Sequence, residues 1–180
     1  MKANQPCQSI LNSRWALFLA FGAFAAMLFG IKFWLIGTYG NATPYWDQWD
    51  GEAANLYKPF LEGTLRWADF IALHNEHRIF TTRLLALTLL TFNGIWNPLL
   101  QMVVNAVLHI VTLGFGIALL TRVIGHNHLP ALLTFSLVLF GIPYAWENTL
   151  AGFQSQFYFV LLFSIASLWL TVTQSPLSAR

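Results

Sequence analysis

The chain has 180 residues, 57% of them hydrophobic and 9% charged, with mean hydropathy +0.58 and a formal net charge of +2. This composition excludes an ordinary soluble domain, because runs of about 20 apolar residues, enough to cross a bilayer, recur along it. The nine Lys and Arg are scattered, which leaves no footprint for nucleic acid, and a single cysteine, Cys7, excludes a disulfide framework.

The first apolar run, 15–36, follows Lys2 and Arg14. Its start looks like a secretory signal, with Ala23-Phe24-Ala25 as a candidate cleavage site. The run continues well past that point, so it reads as an uncleaved signal anchor. The positive-inside rule then places the N-terminus in the cytoplasm. Lys32 stands near the outer end of this helix, where its long side chain is expected to snorkel to the interface.

Residues 37–96 read as a large first outer loop. Asp50 is expected to cap a short helix running to Glu62, with Gly63 as its stop. Ala53, Leu56, Tyr57, Phe60 and Leu61 fall on one face, which predicts an amphipathic surface helix kinked by Pro59. Residues 79–96 either cross the membrane or lie along it. Lying along it is preferred, because Lys2, Arg14, Arg122 and Arg180 then share the cytoplasmic side. The same choice gathers all seven acids outside: Asp47, Asp50, Glu52, Glu62, Asp69, Glu76 and Glu147. Further crossing helices are expected at 98–120, 129–145 and 153–173. The fold class is therefore all-α: one polytopic membrane domain, 1–180, with about four transmembrane helices and amphipathic surface helices in the first outer loop.

Carboxylates near a membrane are costly and are usually kept for function. In Tyr45-Trp46-Asp47-Gln48-Trp49-Asp50-Gly51-Glu52, either Asp47 or Asp50 could act as a general base on a sugar hydroxyl, with tryptophan faces for the ring. The plainer reading is helix caps in a solvated loop. His74-Asn75-Glu76-His77-Arg78, followed by Arg83, concentrates groups that could grip a lipid phosphate. The plainer reading there is a snorkelling cluster at the interface. His74, His77 and the carboxylates could also ligate a divalent metal, but the spacing is not HExxH, so no metal site is assigned. Glu147, in Trp146-Glu147-Asn148, is the one acid outside the first loop. Asn105 and His109 are four apart within an apolar run and read as an interhelical hydrogen bond.

The layout resembles the GT-C superfamily of membrane glycosyltransferases, such as the aminoarabinose transferases and protein mannosyltransferases. Asp47-Gln48-Trp49-Asp50-Gly51-Glu52 stands where that family carries its acidic motif, Glu76-His77-Arg78 resembles its acidic-basic stretch, and Glu147 its second-loop acid. The resemblance covers about residues 10–175 in architecture, and the short motifs alone are weakly specific. It implies sugar transfer from a polyprenyl-phosphate donor at the outer face of a bacterial inner membrane. Asp47 and Asp50 would be catalytic, and Glu52, His74, Glu76, His77, Arg78, Glu147 and Lys32 would bind substrate. Family members have more membrane helices, so this chain is expected to be an incomplete module that a partner chain could complete. The alternative is a non-catalytic module or subunit that binds an anionic lipid.

Overall fold

The computed structural model describes residues 14–174. Lys2, Cys7 and Arg180, which entered the charge and thiol readings, lie outside the described residues. The protein is an all-α polytopic membrane protein. Four helical stretches are long and apolar enough to cross a bilayer: Arg14–Tyr39, Pro98–Ile124, His126–Thr149 and Gly152–Thr173.

Helix α1 is Arg14–Tyr39. The loop that follows opens with a π-helix, Trp49–Tyr57, which restarts as the single α-turn α2, Lys58–Leu61. Next come α3 (Trp67–Ile71) and a two-residue hairpin of β1 (Leu73–His74) and β2 (His77–Arg78). Helix α4 is Phe80–Asn93 and α5 is Pro98–Ile124. Helix α6 (Leu129–Gly141), the short α7 (Trp146–Thr149) and α8 (Ser155–Gln174) complete the described chain.

Two local expectations change. The residue preceding the short loop helix is Gln48, and Asp50 lies inside its first turn. Pro59 falls in the first turn of α2, where a missing N–H costs little, because the wider π-turn ends just before it. The stop and start around Trp96 follow ordinary capping. Gly94 closes α4 at φ 74, a left-handed position that suits glycine. Asn97 then caps α5, its Oδ1 accepting from the Leu100 N–H at 3.1 Å, with Pro98 in the first turn.

Helix α4 has 14 residues. At about 1.5 Å per residue it rises roughly 21 Å, short of the ~30 Å hydrocarbon core. It packs instead on the loop. Ala86 joins Leu56, Tyr57 and Phe70 in a small apolar core. The main core lies among α1, α5 and α6, around Phe24, Leu28, Ile110, Ile117 and Leu129. Helices α5 and α8 come close at Gly116, where a Cβ would lie 3.3 Å from Ile165 Cδ1, as small residues allow between membrane helices.

The path of the chain sorts its polar segments by end. Residues 40–97 and 142–154 meet at one end of the bundle: Phe153 packs on His74 with ring centroids 5.2 Å apart and lies close against Gly51. All seven acids belong to these two segments. The turn His126–His128 lies at the opposite end, with Arg122 set over the Trp169 ring at 5.6 Å.

Candidate functional site

The acid-bearing end contains one closed polar node and one open cavity. Glu52 forms the node. Its carboxylate accepts from Gln101 Nε2 at 2.8 Å, Gln48 Nε2 at 3.1 Å and Trp96 Nε1 at 3.1 Å. Gln48 Nε2 also donates to Gln101 Oε1 at 2.8 Å, and Gln101 Nε2 to Tyr57 Oη at 3.2 Å. Burial pushes the Glu52 carboxyl up to about 7, opposed by these donors. Glu52 is 1% exposed, so it is a strut between loop and bundle rather than a group open to substrate. The sequence placed Glu52 among the substrate-binding residues; in the fold it is buried among Gln48, Trp96 and Gln101.

Asp47 faces the cavity, which measures about 150 Å³. Tyr45, Trp46 and Asp47 contribute one wall, and Trp146, Glu147 and Asn148 another. Residues a hundred positions apart thus converge because 40–97 and 142–154 share an end of the bundle. Behind Asp47 stands His74, with Nε2 3.7 Å from Asp47 Oδ2. His74 is buried and its Nε2 has no hydrogen-bond partner. Its ring is held edge-on by Phe153 at 5.2 Å. Phe153 can approach because Gly51 has no side chain: a Cβ there would lie 2.5 Å from the phenyl ring. Trp46, just before Asp47, has φ 48, a conformation that costs a non-glycine residue on the order of 1 kcal/mol or more.

The His-Asn-Glu-His-Arg run does not act as one cluster. It forms the hairpin, with Asn75 at φ 50 in the tight turn. His74 points into the protein, while Glu76, His77 and Arg78 are exposed. Arg78 Nη1 donates to Ile71 O. Arg83, which the sequence offered as a phosphate ligand, is 1% exposed. Its guanidinium donates to Asp69 O at 2.8 Å and Ala72 O at 2.6 Å, closing the C-terminal end of α3. Asp50 is exposed, and its carboxylate has no hydrogen bond or ion pair among the described residues; only its carbonyl accepts, from Asn55 Nδ2. No three metal-ligating side chains converge among the described residues.

Lys32 does not snorkel. It is 5% exposed, and Nζ donates to Thr149 Oγ1 at 3.2 Å, joining α1 to α7. It lines a second cleft, of about 400 Å³, together with His109, Tyr158 and Asn148. Asn148 therefore borders both spaces. Sequence reading carried Gln48 and Asn148 inside its motifs without giving them a role, and missed Gln101 altogether. For Gln101 a signal was present: an amide inside an apolar crossing helix needs a buried partner. Comparison with protein-family models, curated proteins and solved structures finds no match to this chain.

Proposed function

We propose that this chain is a GT-C-like membrane glycosyltransferase, or the acid-bearing part of one, that moves a sugar from a lipid-phosphate donor to an acceptor. The observation that carries the reading is the convergence of Asp47 and Glu147 on one small cavity between aromatic walls. At about 30 Å³ per water, that cavity has the volume of roughly five waters, on the scale of a small polar group such as a sugar ring. Tyr45, Trp46 and Trp146 offer flat apolar faces to it.

Asp47 takes the proton from an acceptor hydroxyl. The oxygen attacks the anomeric carbon, and the bond from that carbon to the phosphate oxygen breaks, its electron pair leaving with the phosphate. Glu147 accepts hydrogen bonds from sugar hydroxyls, and the buried His74 stands behind Asp47. In this reading the acid-bearing end faces outward across a bacterial inner membrane, the side on which the GT-C resemblance places the acidic motif.

The test uses membranes containing the full chain, supplied with radiolabelled polyprenyl-phosphate sugars, and follows label leaving the lipid. Asp47→Asn should slow transfer by about a hundredfold or more, the usual scale for losing a general base. Glu147→Gln should slow it less. Undiminished transfer by Asp47→Asn would sink the reading. A non-catalytic lipid-binding module is the second reading. The buried Lys32 in its own cleft favours it, since that site uses none of the acids.

A further inference from the structure

We propose that the cleft at Lys32 is a docking site for a phosphate carried on a long hydrocarbon chain, entered sideways from the bilayer. The choice of lipid rests on the transfer reading; the site itself rests on geometry.

Lys32 Nζ has three protons to donate, and Thr149 Oγ1 takes one. No carboxylate pairs with it among the described residues. An ammonium inside an apolar bundle is costly unless an anion meets it. The described residues supply no such anion, yet leave a cleft of about 400 Å³ beside the amine. His109 lines the same cleft, and its Nδ1 is buried without a partner. The His109 ring is stacked on Tyr158 at 4.6 Å, and Tyr158 Oη donates to Asn148 O at 3.0 Å, so the polar wall is firmly held.

The neighbouring spaces say what form the anion takes. Ile31, Leu35, Gly141, Ile142 and Pro143 line both this cleft and a groove of about 730 Å³. That groove continues along Ala26, Met27 and Gly30 of α1 and is almost wholly apolar. On the other side, Asn148 joins the cleft to the Asp47–Glu147 cavity. The order is apolar groove, buried cation, acid cavity. A ligand with a hydrocarbon tail, a phosphate and a polar terminal group matches that order, and a free anion uses only its middle. Of the residues the sequence offered for the phosphate, His77, Arg78 and Lys32, only Lys32 lines this cleft.

The test places the full chain in phosphatidylcholine nanodiscs and measures binding of undecaprenyl phosphate, undecaprenol and inorganic phosphate. Undecaprenyl phosphate should bind, and the other two should not. Lys32→Met should weaken binding by roughly tenfold or more, and Lys32→Arg should retain most of it. Because Lys32→Met also loses the Thr149 tie, a second variant avoids that contact. Gly30 lines the groove and a Cβ there meets nothing within 4 Å, so Gly30→Leu adds bulk at the groove wall, and it should weaken binding similarly. Equal binding by wild type, Lys32→Met and Gly30→Leu overturns the proposal, as does equal binding of undecaprenol. Displacement of the lipid by inorganic phosphate makes the site a free-anion site and also overturns it. Asp47→Asn should bind normally. Normal binding without transfer from any donor removes the transfer reading and leaves this site standing; transfer that ignores Lys32→Met and Gly30→Leu does the reverse.

Discussion

Gln101 Nε2 donates to Glu52 Oε1 at 2.8 Å, so a crossing helix grips a loop residue 49 positions earlier in the chain. The bond sits at the centre of a node that also holds Gln48 and Trp96. It fixes the loop that carries Asp47 onto the bundle.

Removing the carboxylate should therefore cost stability. Glu52→Ala strands the buried donors of Gln48, Gln101 and Trp96, a loss on the order of 3 kcal/mol. Glu52→Gln keeps the shape and one acceptor and should cost less. The unfolding midpoint in detergent measures both. An unchanged midpoint for Glu52→Ala would contradict the strut assignment.

Stability should also depend on pH through this group. The carboxyl is raised from 4.5 to about 7 in the folded protein. Between those values the folded chain holds a proton that the unfolded chain has released, so stability falls as pH rises. The contribution is full below about pH 4.5 and lost above about pH 7, with a span on the order of 3 kcal/mol. Glu52→Gln should flatten that slope. A slope of equal size in the variant assigns it to another group.

Arg83 should matter for local order rather than for ligand binding. Arg83→Met removes the donors that hold the Asp69 and Ala72 carbonyls, about 2 kcal/mol of charge-assisted hydrogen bonding. Hydrogen exchange across residues 66–79 should quicken while α5 stays protected. Unchanged exchange there would show that the cap is not needed.

Asp47 and Asp50 should separate in the transfer assay. Asp50 is exposed, its carboxylate without a partner among the described residues, whereas Asp47 lines the cavity beside His74. Asp50→Asn should keep transfer within roughly threefold, far above the loss expected for Asp47→Asn. Equal losses from both variants would mean that cavity lining does not select the base.

Local chemistry was readable from the chain. Long apolar runs announced the crossing helices. Tertiary pairing was not. Asp50 and Glu52 are two residues apart and look equivalent in sequence, yet one is exposed and the other sealed by residues up to 49 positions away. Lys32 looked like a snorkelling cation because its depth was visible and its neighbours were not. Thr149, 117 residues later, meets it. The run from His74 to Arg78 looked like one patch, and a two-residue turn sends its first histidine inward and the rest outward.

The sorting of charge by end makes the folded chain an electrical dipole along its own axis. Seven carboxylates and five bases (Lys32, Lys58, Arg66, Arg78 and Arg83) give the acid-bearing end a formal balance of −2, and Arg14 with Arg122 leave +2 at the other among the described residues. A transmembrane voltage acts on such a dipole with about 2.3 kcal/mol per elementary charge per 100 mV. An energised membrane would thus hold the bundle with its acids toward the positive side. Raising the voltage should resist inversion of the molecule, and collapsing it should ease it.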